Sequence, residues 1–316
     1  MELQTKIQLE PQSHNQIDYN SELFLLGSCF VENIGNKLDY FKFQNTINPF
    51  GILFHPKAIE TLIENAIVKK EYVENEVFLN NEQWHCFDAH SKLSNSSKVE
   101  LLKGLNQSIE LTNKLLHEST HIIITLGTSW VYRLDKTNTI VANCHKVRQK
   151  EFLKSLLSID DIYNSLQNSI DLIHSVNKKA SIIFTVSPVR HLKDGFVEST
   201  RSKSHLITAI HQTIEAEKQS HYFPSYEIMM DELRDYRFYD EDMIHPNQTA
   251  VNYIWEKFKE VWISKKASIP MEDVDTIQKG LLHKPFNPSS KAHQQFIQQL
   301  DEKKGDIKAR FPHIKF

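Results

Sequence analysis

At 316 residues, 40% hydrophobic and 24% charged, the chain is long enough to bury one large core and too apolar to be disordered or fibrous. A formal net charge of -3 excludes a global field that would draw in nucleic acid or an anionic membrane. Cys29, Cys86 and Cys144 are an odd number at wide spacing, so they form no disulfide framework and no paired zinc knuckle.

In chain order, the polar start at residues 1–6 leads into no apolar signal core, and no apolar run reaches membrane-spanning length. With the cysteine usage, this gives the expectation of a cytoplasmic protein. Residues 23–26 are a short apolar run and predict a buried strand, followed by a helical segment over residues 31–38. Residues 72–99 mix strand-like pieces with Asn and Ser and read as an insertion near the site. A helix is predicted over residues 105–118, with Leu105, Ile109 and Leu116 on one face, and a strand over residues 122–125. Another helix covers residues 162–176, a strand residues 181–186, a helix residues 205–218, and a weaker strand residues 221–223. The last helix of this pattern runs over residues 247–262 behind Pro246. From Lys265 onward, Pro270, Pro285 and Pro288 break the pattern, apart from a polar helical stretch near residues 292–302.

Strands alternating with helices imply an α/β fold, a three-layer α/β/α sandwich around a mostly parallel sheet. The expected division is a main domain over residues 1–264 and a C-terminal extension over residues 265–316. Sites in such sheets form beyond the carboxyl ends of the strands. The loops beginning at Gly27, Gly127, Ser187 and Pro224 are therefore the ones to inspect.

Two segments carry chemistry. Gly27-Ser28-Cys29-Phe30 places a hydroxyl at a strand-to-helix turn, where unpaired N–H groups can stabilise an oxyanion. The same pattern also serves as an ordinary N-cap. Asp242-Met-Ile-His245-Pro246 sets a carboxylate three residues before an imidazole, so that one ring nitrogen can be held and the other left free as a base.

These two segments, in this order on an α/β chain, resemble the GSCFA family, which belongs with the SGNH (GDSL-like) hydrolases. Here the first motif reads Gly-Ser-Cys-Phe-Val, with Val31 in place of Ala. Asn48-Pro-Phe-Gly51, Thr125-Leu-Gly-Thr-Ser129, Ala142-Asn-Cys-His145, Ser187-Pro-Val-Arg190-His191, Tyr222-Phe-Pro-Ser225 and Asp235-Tyr-Arg237-Phe-Tyr239 also look like the family. The resemblance implies Ser28 as nucleophile, His245 as general base and Asp242 as its orienting carboxylate. It implies an oxyanion hole from Ser28, Gly51 and the third block. In SGNH enzymes the first block more often reads Gly-Asp-Ser, and the third normally supplies an Asn where Ser129 stands here. A hydroxyl is a less rigid donor than an amide, so Asn48 or Asn143 is an alternative donor.

The resulting expectation is a serine esterase acting on a small or carbohydrate-linked acyl ester. The alternatives are an O-acyltransferase on the same triad and a ligand-binding protein on a retired hydrolase fold. Trp84, His90, Asn143 and His145 are read as pocket lining, with Asn48 and Arg190 as further substrate contacts. Cys29 is set aside as a small buried hydrophobe beside the nucleophile. His85, Cys86, Asp88, His90, Cys144 and His145 lack the spacing of a zinc motif, so neither metal nor cofactor is expected. Arg234 and Arg237 are read as ion-paired with neighbouring carboxylates.

Overall fold

A computed structural model describes residues 4–316, and the first three residues of the polar N-terminal run lie outside the described residues. Strand β1 (Glu22–Gly27) runs into α1 (Cys29–Tyr40), which returns the chain to β2 (Gln44–Ile47) and α2 (Pro56–Ile67). A hairpin of β3 (Val77–Asn80) and β4 (Gln83–Cys86) precedes α3 (Lys98–Glu118) and β5 (His121–Leu126). Next come β6 (Trp130–Leu134), β7 (Thr139–Val141) and β8 (Phe152–Leu156), then α4 (Ile159–Val176), β9 (Ser181–Val186), α5 (Phe196–Ala216) and β10 (Ser220–Tyr222). A single turn, α6 (Ser225–Glu227), continues into a π-helical stretch at Ile228–Glu232. The chain ends with α7 (Gln248–Trp262), α8 (Ser268–Leu282) and α9 (Lys291–Arg310).

The central sheet has the order β10-β9-β5-β1-β2, and every neighbouring pair is parallel. Successive side chains of a strand point to opposite faces. On β1, Phe24 and Leu26 enter the core under α2, α3, α4 and α5. Leu23 and Leu25 enter the opposite core, shared with α1, α7, α8 and α9. Both faces of the sheet are thus covered, which is why its strands read as continuous apolar runs.

The expected α/β/α sandwich is present, with differences at its edges. Strand β2 was not predicted. Its Gln44-Asn-Thr-Ile sequence is only half-buried at the sheet edge, so it carries no apolar run. Helix α5 starts well before residue 205, because Ser199, Ser202 and Lys203 occupy its core face where apolar residues would have marked it. The antiparallel sheet β7-β6-β8 is likewise polar and half-exposed. Pro270 is the third residue of α8, where a missing N–H costs no helical hydrogen bond, so the segment read as irregular is helical. The C-terminal helices pack onto the sandwich. Tyr40 Oη donates to Asp275 at 2.8 Å, and Tyr19 stacks on Phe43 and on Phe311.

His55 caps α2 from a buried position. Its Nδ1 accepts the Ala58 N–H at 3.1 Å, and its Nε2 bonds the Val141 carbonyl at 3.1 Å, joining α2 to β7. Burial pushes its pKa down to about 4. Unfolded imidazole accepts a proton near ~6.5, so the unfolded chain binds more protons between those values. This contribution to stability is complete above about pH 6.5 and is lost as pH falls toward 4. His145 is shifted the same way by burial. Thermal unfolding followed by circular dichroism should therefore show a midpoint that falls between about pH 7 and about pH 4.5. His55→Asn, which keeps a capping acceptor but does not titrate, should lower the midpoint at neutral pH and flatten part of the acid slope.

Candidate active site

The site forms where β1 ends. Gly27 has φ +130, and a Cβ there would lie 2.1 Å from the Thr125 carbonyl oxygen of β5, so only glycine fits. The Ser28 N–H still donates to Thr125 O at 2.9 Å, which carries the strand register one residue past β1. Just past β2, Asn48 Oδ1 accepts the Gly27 N–H at 2.9 Å, and the Asn48 N–H donates to Leu25 O.

Ser28, the N-cap of α1, is wholly buried, and its Oγ has no hydrogen-bond partner among the described residues. Cys29 is partly exposed and, like Ile244, packs against the core shared with α1 and α7. As the first residue of α1, Cys29 lies at a helix N-terminus whose first N–H groups lack helical partners. Burial pushes the Cys29 thiol up. Lys203 and the N–H groups of Cys29 and Phe30 pull it back, while Glu32 adds to the rise.

The loop before α7 supplies an imidazole paired with a carboxylate. Asp242 Oδ1 accepts the N–H groups of Ile244 (2.8 Å) and His245 (2.9 Å), and Oδ2 meets His245 Nδ1 at 2.6 Å. The His245 backbone and ring and the Ile244 N–H hold the Asp242 carboxyl down at about 2, so it is ionised at neutral pH. Met243 turns the loop at φ 59, and the Arg190 N–H after β9 donates to Ile244 O at 3.3 Å. Asn247 caps α7 through Oδ1 to the Ala250 N–H at 3.1 Å.

With Nδ1 held by Asp242, the free His245 Nε2 stands 3.9 Å from Cys29 Sγ. No hydrogen bond joins His245 to Ser28 among the described residues, so the imidazole stands beside the thiol and is not bonded to the hydroxyl that the resemblance names as nucleophile.

The expected oxyanion donors are engaged elsewhere. The Ser28 N–H belongs to Thr125, and the Gly51 N–H donates to Asn48 O at 2.8 Å. The Ser129 hydroxyl donates to the Ser202 carbonyl at 3.0 Å, and its N–H to Ser202 Oγ at 2.8 Å. Asn48 differs: its Nδ2 is buried without a partner among the described residues.

His90 lies against Gly51, within 2.4 Å of where a Cβ would stand, and its Nδ1 accepts the Lys92 N–H. Lys92 in turn pairs with Glu32 of α1 at 2.6 Å, which ties this segment to the helix that begins at Cys29. The contacts of Trp84, Asn143 and His145 lie elsewhere. Trp84 sits under Lys98 and pairs with Asn95. Asn143 Oδ1 accepts the His145 N–H, and His145 Nε2 bonds Cys86 O at 2.7 Å. The Arg190 guanidinium lies over Tyr239 and Phe196. Arg234 pairs with Asp231 and Arg237 with Asp235, as ion pairs rather than ligand contacts. Among the described residues, no group of three or more His, Cys, Asp or Glu is placed to hold a metal ion.

Two further groups lie beside the site. His191 Nε2 and Ser28 Cβ flank Gly127, 3.2 and 3.1 Å from where its Cβ would stand. Burial and the nearby Lys203 hold His191 down at about 3, so the ring is neutral. Lys203 is a lysine on the core face of α5, legible only once the true length of that helix is known.

The sequence matches the GSCFA family over residues 22–258, and the GSCFA domain protein, C-terminal domain, over residues 274–316. Among solved structures, an acetyl xylan esterase (Est2A) from the rumen bacterium Butyrivibrio proteoclasticus is similar with a TM-score of 0.40 and 10% identity. The similarity covers 84% of this chain and 65% of that one. No curated protein matches.

The geometry makes an alkylation pattern the direct check. In the native protein, iodoacetamide at neutral pH should modify Cys29 and leave the buried Cys86 untouched. His245→Ala should slow modification of Cys29 without changing that of Cys144, as read by peptide mass mapping.

Proposed function

Because the chain belongs to the GSCFA family, we propose that it is an acyl hydrolase that works through Cys29 as nucleophile, His245 as general base and Asp242 as the carboxylate that orients it. The observation that carries this reading is the unbroken line from Asp242 Oδ2 to His245 Nδ1 at 2.6 Å and from His245 Nε2 to Cys29 Sγ at 3.9 Å. The reading keeps the SGNH order of an early nucleophile and a late Asp-x-x-His, and changes the nucleophile.

A thiol attacks as its thiolate, so the proton moves from Sγ to His245 Nε2 as the new S–C bond forms. The ionised Asp242 stabilises the imidazolium and keeps Nδ1 in place. The first N–H groups of α1 and the unpaired Asn48 amide are the donors at hand for the oxyanion, in place of the engaged Ser28, Gly51 and Ser129 groups. His245 then passes its proton to the departing alcohol, leaving a thioester on Cys29. Water activated by the same nitrogen hydrolyses that thioester and restores the thiol. A sugar-linked substrate was expected partly from Trp84, but that ring is covered by Lys98 and lends the idea no support.

Hydrolysis of p-nitrophenyl acetate by three single variants tests the reading. Cys29→Ala and His245→Ala should each lose about 100-fold or more in kcat/KM, the size expected for removing a nucleophile or a general base. Ser28→Ala should stay within about tenfold of the parent, because its hydroxyl takes no part. An inactive Ser28→Ala beside an active Cys29→Ala would restore the serine mechanism and refute this one.

A further inference from the structure

Arg190 differs from the arginines around it. Arg234 pairs with Asp231 at 2.7 Å and Arg237 with Asp235 at 3.0 Å. Arg190 meets no carboxylate among the described residues. Its guanidinium lies over the Tyr239 and Phe196 rings, 5.3 and 5.6 Å from their centroids, and makes a weak contact of 3.7 Å to Met230 Sδ. A guanidinium carries five N–H donors in a planar fork, so most of them have no protein partner here.

Arg190 lines a cavity of about 210 Å³ together with Met229, Met230, Leu233, Tyr236 and Tyr239. Met229 and Met230 belong to the π-helical stretch at Ile228–Glu232. Such stretches are rare and concentrate at functional sites. Two walls of the cavity are tied to the residues on either side of His245. The Arg190 N–H donates to Ile244 O at 3.3 Å. Tyr239 forms an antiparallel bridge with Pro246, beside which the Asp240 N–H donates to His245 O at 2.8 Å. Exposed apolar side chains gather at the same place: Phe196 against the guanidinium, Tyr236 in the cavity wall and Met243 in the His245 loop. An unpaired cation among exposed apolar side chains has the makeup of a ligand subsite.

Charge selects the ligand. Arg234 and Asp235 also line the cavity, but Asp231 and Arg237 already neutralise them. One positive charge is left to balance. A carboxylate supplies one negative charge and matches the guanidinium fork with two parallel hydrogen bonds. Met229, Met230 and Leu233 give apolar surface to the chain that leads to it.

We propose that this cavity is a carboxylate-binding subsite anchored by Arg190, and that the ester hydrolysed beside it carries a free carboxylate at the end remote from the scissile bond. The substrate assignment rests on the reading of Cys29 and His245 as the reactive pair. The subsite itself does not.

The test has a binding arm and a turnover arm. By calorimetry, the parent protein should bind phenylbutyrate at least about tenfold more tightly than the neutral phenylbutanamide, the size expected for a charge-assisted fork. Arg190→Met should abolish that preference, and Arg190→Lys should keep only part of it, because the charge stays and the fork is lost. Acid and amide binding alike to the parent, or a folded Arg190→Met that keeps the preference, would overturn the proposal. Should Arg190→Met not fold for want of its aromatic contacts, Arg190→Lys decides, and an undiminished preference there would overturn it equally. In hydrolysis, mono-p-nitrophenyl adipate should show a KM about tenfold or more below that of p-nitrophenyl hexanoate, which differs by the carboxylate alone. Equal KM values would overturn the substrate assignment. A failure of the Cys29 reading would appear instead as hydrolysis that survives Cys29→Ala, with the binding preference intact.

Discussion

The arrangement at the site depends on the fixed register of β1 between its two neighbours. Ladder bonds continue past the strand end through Ser28 to Thr125, and Asn48 clamps Gly27 from the other side. Gly27 has no Cβ because Thr125 O occupies that place. With the register locked, the alternation of side chains along β1 cannot slip, and the turn that carries Ser28 and Cys29 is held in place. The face that takes Cys29 is the one covered by α7 and the loop before it, so the imidazole and the thiol meet there.

Around that pair, polar groups hold backbone. Ser202 and Lys203, adjacent on α5, grip Ser129 and the carbonyls of Gly127 and Ser187. Arg190 donates its N–H to the His245 loop. On the small antiparallel sheet, Lys154 pairs with Asp194, Lys193 reaches Tyr132, and Trp130 bonds Glu198 O, which ties that sheet to the segment after His191. Supporting bonds of this kind hold the side chains of a site within a narrow tolerance. The exposed Asp242 and His245 draw their order from their own loop, where three bonds converge on one carboxylate.

What could be read in the sequence follows from burial. Strands β1, β5 and β9 are covered on both faces, and their apolar runs announced them. Strand β2 and the β7-β6-β8 sheet bury one side or less, and their polar sequences hid them. Asp242 and His245 were legible because their relation is local, three residues within one loop. The approach of His245 Nε2 to Cys29 Sγ was not, because it joins residues 216 apart in the chain. The bonding of the expected oxyanion donors was hidden for a similar reason. Whether an N–H of Ser28 or Gly51 is free depends on Thr125 and Asn48, not on the motif that contains it. Lys203 was invisible while α5 was thought to begin after it.

The central claim is that the acyl group is carried on sulfur. Brief mixing with p-nitrophenyl acetate, acid quench and peptide mass mapping would locate it, and lability to neutral hydroxylamine would tell a thioester from an oxygen ester. The account predicts one acetyl group on Cys29, released by hydroxylamine. A hydroxylamine-resistant acetyl on Ser28 would contradict it.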